Sequence, residues 1–428
     1  MPSPTPMPPH DVADLSRADA GEARIAWATA QMPVLARLRD RLAKARTLEG
    51  VGVGLCLHVT AETATLARAL AAGGAQVALC AANPLSTQDS VAAALVVHDG
   101  LAVHAVHGED LERYAAHVAA LAAREPDIVL DDGADLIGLL HDERPDVARA
   151  LIGATEETTT GLLRLRAMQA QGRLSCPVVA VNEARAERAF NDRYGTGQST
   201  IDGILRATNT LLAGAVVVVF GYGWTGKGIA LRAHGLGASV IVCEVDPIRA
   251  LEARMEGFQV MPALEAAERG DIFVTVTGGS AVLSAEHFER MRDGAILANA
   301  GHFDVEIDLA ALERVSSGRR EVRPLVEEYD LGDRRLNLLA RGRVVNLAAG
   351  EGHPPAVMDL SFAMHVLAVE HLVRRRGELG PGVHPVPAAL DREVAALKLD
   401  ALGVRIDELS PEQAAYASAW VPRPEEDG

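Results

Sequence analysis

An unbroken apolar run, Val216 to Phe220, meets a glycine turn, Gly221-Tyr222-Gly223-Trp224-Thr225-Gly226, which opens into an Ala- and Leu-bearing stretch ending near Gly237. Strand, turn and helix in this order constrain the chain more than any other part of it. An apolar strand without alternation is covered on both faces, as in a parallel sheet. The spacing G-x-G-x-x-G allows a tight turn and a close approach of pyrophosphate to the backbone. It also aims the unpaired N–H groups of a helix start at that anion. Glu244 closes the next apolar run, about 20 residues on, where a carboxylate accepts from ribose hydroxyls and disfavours a 2'-phosphate. Gly221, Gly223, Thr225, Gly226 and Glu244 are therefore the expected dinucleotide contacts, and NAD is the expected cofactor. A turn that served packing alone would need neither the helix start nor the acid.

The same alternation recurs elsewhere. VGVGLCLHV from Val51, TAETATLARALAAGG from Thr60 and AQVALCA from Ala75 read as strand, helix and strand, and DIFVTVTGG and GAILANAG follow the glycine turn as further strands. The fold class is α/β, with two domains and a C-terminal tail: a Rossmann-like parallel-sheet domain and an α/β substrate domain. The expected bounds are 1–194 for the first part of the substrate domain, 195–352 for the nucleotide domain, 353–390 for a return through SFAMHVLAVEHLVRRR, and 391–428 for the tail. A hinge is expected in the polar stretch from Asn182 to Ser199.

With 428 residues and a formal charge of -17, the chain can bury large cores but offers no basic footprint for nucleic acid or an anionic membrane. Cys56, Cys80, Cys176 and Cys243 lie scattered in or beside apolar runs and read as buried thiols. His98, His104, His107 and Glu109 are the nearest approach to a metal-ligand set, but they lie away from the motifs, so no metal is expected. Met1 to Asp14 lacks both a basic start and an apolar stretch, and no apolar run approaches membrane-spanning length. A cytoplasmic protein is expected.

Several segments in order match one family: HVTAET from His58, NPLSTQD from Asn83, DDGADL from Asp131, EETTTG from Glu156, GYGWTGKG and GHFDVEID from Gly301. NLAAGEGHPPAVM from Asn346 and GVHPVPAALDREV from Gly382 extend the match over nearly the whole chain after about residue 25. On these residues the sequence resembles S-adenosylhomocysteine hydrolase. The resemblance implies a substrate domain and a cofactor domain joined by a hinge, a tetramer, and NAD held through the cycle. The implied chemistry oxidises a ribose 3'-hydroxyl, removes the acidified 4' proton and expels the 5' substituent; the stored hydride then returns.

Matched residue by residue, His58, Asp132 and His302 would handle protons near C4' and C5', and Glu157 would bind ribose hydroxyls. Thr60 and Glu62 would bind adenine, enclosed by His353, Met358 and Phe362, with Asn182 also in the substrate pocket. Thr158, Thr159, Thr160, Asp192 and Asn346 match cofactor contacts. Plainer roles exist for some of them: His58 as a structural hydrogen-bonder, Asp-Asp-Gly as a turn, Thr60 as a helix cap, the threonine run as strand-forming sequence.

The resemblance also breaks in places. Glu187 stands where the family carries a lysine, and Asn191 stands where that lysine has an aspartate partner. An ionised Glu187 would act as base or bind a hydroxyl, with Arg185 or Arg188 as a replacement cation. Thr196 replaces a cysteine, Glu351 a methionine or similar residue beside the adenine, and Asp359 and Leu360 alter the following helix start. The tail ends Pro422-Arg423-Pro424 and acidic residues, without the family's C-terminal lysine and tyrosine, though Arg423 offers a cation. These departures point to an adenine-nucleoside dehydratase resembling the angustmycin type in nucleoside-antibiotic biosynthesis, losing a 5'-hydroxyl as water. The alternatives are a divergent S-adenosylhomocysteine hydrolase and a catalytically dead NAD-binding regulator.

Overall fold

The structure, a computed structural model, describes residues 7–301 and 304–418. His302 and Arg423 lie outside the described residues. Two eight-stranded sheets organise the chain. The first runs, edge to edge, through Asp11–Val12, Ala102–Ala105, Gln76–Cys80, Gly52–Cys56, Ile128–Asp131, Gly153–Glu156, Pro177–Ala180 and Gly382–Pro385. Every pairing in it is parallel. The second runs Gln259–Val260, Ser239–Cys243, Val216–Phe220, Ile272–Thr275, Ala295–Asn299, Arg335–Leu339, Val326–Asp330 and Gly318–Arg323.

The unbroken valine run has its physical reason in this order. Val216–Phe220 lies between Ser239–Cys243 and Ile272–Thr275, both parallel to it, and Val217 to Phe220 are all buried. The last two strands form an antiparallel extension. Gly318–Arg323 is exposed along its whole length and reads GRREVR, a charged edge that resists pairing with another chain. Sequence reading missed these strands because a charged edge shows no apolar alternation.

The chain returns to the first sheet after the second. Phe362 to Leu372 pack in one hydrophobic cluster with Leu35, Leu55, Leu66 and Val179, and Gly382–Pro385 pairs with Pro177–Ala180. Their helix, Pro355–Arg374, corrects one expectation: its 20 residues, at hydropathy 1.4, are long and apolar enough to cross a membrane by length and composition. It is apolar all round because it is covered: 72% of that window is buried inside the protein. Its polar side chains are paired inside. Asp359, 0% exposed, accepts from the backbone N–H of Val34 at 3.2 Å and of Leu35 at 2.8 Å, and meets Lys398 Nζ at 2.8 Å. Asp359 therefore caps a neighbouring helix and does not shape the pocket.

All four cysteines are free and buried, and burial pushes Cys176 and Cys243 up to about 12. Among the described residues no group of three or more His, Cys, Asp or Glu could hold a metal ion. His98 faces Asp19 at 3.2 Å, whereas Glu109 turns to His117 at 2.7 Å.

Candidate active site

A cavity of about 1180 Å³ lies between the two sheets, walled by the loops at their strand ends. Ligands of open parallel sheets bind in that place, because helix starts and loop side chains converge there. At the nucleotide end Gly221 has φ +98°, and a Cβ on Gly226 would sit 2.0 Å from the Gly221 carbonyl oxygen. Those glycines close the turn. Gly223 differs. It caps the helix Trp224–Gly235 with an ordinary φ of -71°, and a Cβ there would meet nothing nearer than Arg249 Nη1 at 3.9 Å. Its missing side chain leaves the cavity open to an anion at the helix start.

Glu244 accepts from the N–H groups of Tyr222 at 2.6 Å, Val245 at 2.7 Å and Asp246 at 3.0 Å, which fixes its carboxylate at the cavity edge. Asn346 Nδ2 donates to Ser199 Oγ at 3.2 Å, while its Oδ1 is buried without a hydrogen-bond partner among the described residues. An open glycine cradle, an oriented acid and an unsatisfied amide oxygen at the cavity fit a dinucleotide such as NAD.

The threonine run starts a helix rather than forming a strand. Thr158 caps Thr159–Ala170, accepting from Gly161 N–H at 2.9 Å and donating to Glu156 Oε1 at 2.8 Å. Thr159 donates to Asn182 Oδ1 at 2.9 Å, and Thr160 joins them on the cavity wall. Thr60 is likewise a cap, for Ala61–Ala72, and also lines the cavity. One side chain can do both.

On the substrate side His58 bridges two partners: its Nε2 lies 3.3 Å from Asp132 Oδ2 and its Nδ1 2.7 Å from Ser86 Oγ. Asp132 Oδ1 is buried without a hydrogen-bond partner among the described residues. Behind this pair Asp131 is fully buried, and burial raises its acid to about 7. Glu62, Met358, Phe362 and His353, the residues expected around the base, line the same cavity. Burial raises Glu62, with the Glu351 carboxylate adding to it, and burial lowers His353 to about 4, so this imidazole is neutral at neutral pH. His353 Nε2 lies 2.9 Å from Thr196 Oγ1. Glu351 is on the wall but faces Arg24 at 2.5 Å and Arg206 at 3.5 Å at the cavity's outer rim.

Glu187 to Thr196 winds as a π-helix, a geometry often found where a site re-aims side chains. Through it Asn191 Nδ2 donates to Glu157 Oε1 at 3.0 Å. Ser361 Oγ donates to the same oxygen at 2.7 Å, and His365 Nε2 meets Glu157 Oε2 at 2.5 Å. Burial acts to raise Glu157, but the His365 charge and these hydrogen bonds outweigh it and hold the carboxyl below its ordinary range. Glu187, 2% exposed, is pushed well above its ordinary value by burial and by the Glu157 and Asp192 charges. The expectation of an ionised Glu187 is thus reversed: its neutral form is favoured. Burial and Glu157 also raise Asp192, to about 7.

Most of the residues read from sequence line this one cavity. Glu187 and Gly226 do not reach its wall. Arg188 does, next to Glu183 at 3.3 Å, whereas Arg185 is exposed elsewhere. Sequence reading missed His365, Ser361 and Ser86. His365 and Ser361 sit one helical turn apart, an i,i+4 polar pair inside an apolar run, which is the signal that would have found them.

The profile described as S-adenosyl-L-homocysteine hydrolase matches residues 9–146, and the one described as its NAD binding domain matches residues 192–352. The adenosylhomocysteinase of Aquifex aeolicus is 58% identical over 411 residues, 96% of this chain and 98% of that protein. The S-inosyl-L-homocysteine hydrolase of Methanopyrus kandleri is 54% identical over 411 residues, 96% of this chain and 97% of that protein. Among solved structures, a dipicolinate synthase polypeptide from Bacillus halodurans superposes with a TM-score of 0.50 at 14% identity, covering 76% of this chain and 99% of that one. That likeness concerns the fold alone. Nucleotide cradle, substrate cavity and near full-length identity agree: the chain is an NAD-binding member of the S-adenosyl-L-homocysteine hydrolase family.

Proposed function

We propose that this chain is an NAD-dependent adenine-nucleoside dehydratase. The reaction oxidises the sugar 3'-hydroxyl, removes the 4' proton, eliminates the 5'-hydroxyl as water and restores the 3' carbon, leaving a 4',5'-unsaturated nucleoside. NAD supplies a reversible hydride store, so the sugar is oxidised only transiently. The ketone acidifies the neighbouring C–H. On this reading His58, held between Asp132 and Ser86, moves that proton.

The observation that carries the reading is the acid character of the substrate-side wall. Thiolate departs without help, but hydroxide departs only with a proton. Asp192 lines the cavity with its acid at about 7, and the neutral Glu187 stands behind Glu157 and Asn191. A wall able to hold protons at neutral pH suits loss of water. A second reading, hydrolysis of S-adenosylhomocysteine to adenosine and homocysteine, is favoured by the 58% identity to an adenosylhomocysteinase.

Mass spectrometry of products separates the two. The NAD-loaded protein is incubated in turn with S-adenosylhomocysteine, adenosine and psicofuranosyl-adenine. Loss of one water from a nucleoside supports the dehydratase, whereas release of homocysteine with no dehydrated nucleoside makes it a hydrolase.

A further inference from the structure

The cavity wall, among the described residues, carries no lysine; its arginines are Arg188, beside Glu183, and Arg249, at the nucleotide end. The substrate side is built instead around Glu157. One of its oxygens accepts from Asn191 and Ser361, and the other meets His365, whose second ring nitrogen lies 2.7 Å from Thr155 Oγ1. His365 is 0% exposed. Glu187 is buried and does not line the cavity, and besides burial it is the Glu157 and Asp192 charges that raise its acid.

Two neighbouring carboxyls largely withdrawn from water do not both ionise readily, because the second charge would meet the first in a poorly solvated place. Glu157 has the histidine and the hydroxyl and amide donors, so it takes the charge. Glu187 faces two carboxyls, Glu157 and Asp192, so it takes the proton. Among the described residues, His353 from the loop before the Pro355–Arg374 helix also acts on the pair, and Arg188 acts on Asp192.

We propose that Glu157 accepts the sugar-hydroxyl proton in this chain and that His365 is the positioning residue that aims and charge-balances it. This rests on the oxidative reading above. As the hydroxyl is oxidised its O–H bond breaks, the proton passes to a Glu157 oxygen, and the O–H electron pair closes the carbonyl double bond. Bound NAD would take up the carbon-bound hydrogen with its electron pair. Reversal at the end of the cycle returns the proton, so none is consumed. Replacing Glu187 therefore leaves the proton acceptor in place, and replacing His365 disturbs Glu157 without touching substrate.

Two measurements test it. In the first, nicotinamide reduction is followed by absorbance against pH after nucleoside is added to the NAD-loaded protein. Glu157→Gln is expected to lose at least about a hundredfold in rate, and Glu187→Gln, which leaves the proton acceptor in place, to lose at least about tenfold less than that. His365→Gln is expected to move the acid limb up by about one pH unit with nucleoside KM changed less than about threefold. A Glu187→Gln loss as deep as that of Glu157→Gln, or an unmoved acid limb in His365→Gln, overturns the proposal.

The second measurement is infrared difference spectroscopy of the resting protein at neutral pH, which reads the proton without turnover. Glu187→Gln should delete a protonated-carboxyl band and Glu157→Gln a carboxylate band; the reverse assignment overturns the proposal. If no nucleoside reduces nicotinamide in the parent, the oxidative reading and the role of Glu157 in it fall together, while the infrared bands still decide which carboxyl holds the proton.

Discussion

Gly223→Ala separates binding from folding more cleanly than any other change in the nucleotide turn. In the free protein the new methyl is unopposed: the nearest heavy atom is Arg249 Nη1 at 3.9 Å, and φ of -71° suits alanine. Stability should therefore move by no more than about 0.5 kcal/mol. With NAD bound, the methyl occupies the space through which the pyrophosphate reaches the helix start. Losing one or two charge-assisted contacts costs about 2 to 4 kcal/mol. That weakens NAD binding by roughly 30- to 1000-fold.

Gly226→Ala is the contrast. Its Cβ would lie 2.0 Å from a backbone oxygen that cannot swing aside, so about 1 to 3 kcal/mol of stability should go together with binding. Calorimetric titration of NAD into apoprotein, with a thermal melt of each variant, decides between them. Parental NAD affinity in Gly223→Ala, or a melt as low as that of Gly226→Ala, would refute the reasoning.

Glu187 predicts a pH dependence of stability opposite to that of an ordinary ion-paired carboxylate. Its folded acid lies above the ordinary 4.5, so its contribution is fully present below 4.5 and is lost as pH rises toward the raised folded value. Glu187→Gln should melt like the parent in acid and increasingly above it as pH rises past 4.5; a constant offset would show that Glu187 is not held neutral. Asp359→Ala should cost about 3 to 5 kcal/mol in urea unfolding, because it leaves Lys398 without its buried partner and the Val34 and Leu35 N–H groups without an acceptor. A loss below about 1 kcal/mol would contradict the capping role given to it.

The parts of this protein legible in its sequence are those where one residue type has one physical job. An all-apolar strand running into Gly221 and Gly226 leaves few readings open, and Glu244 at the end of the next strand follows from it. The departures at Glu187 and Asn191 were equally visible as residues. The raised acid of Glu187 was not, because it depends on Glu157 arriving from elsewhere in the chain and on Asp192 one turn on. His365 and Ser361 look like core positions of an apolar helix, and only the fold brings Glu157 to them. The π-helical winding from Glu187 to Thr196 has no compositional sign, since its mixed charges read as a solvated segment. Thr158 shows a third case: its hydroxyl caps a helix start that the run of threonines disguised as strand.

Loss of the 5' oxygen from an adenine nucleoside can be followed by labelling that oxygen. Psicofuranosyl-adenine or adenosine carrying heavy oxygen in its terminal hydroxymethyl group is incubated with the NAD-loaded protein, and nucleoside and solvent water are analysed by mass spectrometry. A dehydratase yields a nucleoside one water lighter and free of label, with the heavy oxygen recovered in water. Label retained in every nucleoside, alongside homocysteine release from S-adenosylhomocysteine, would contradict that reading.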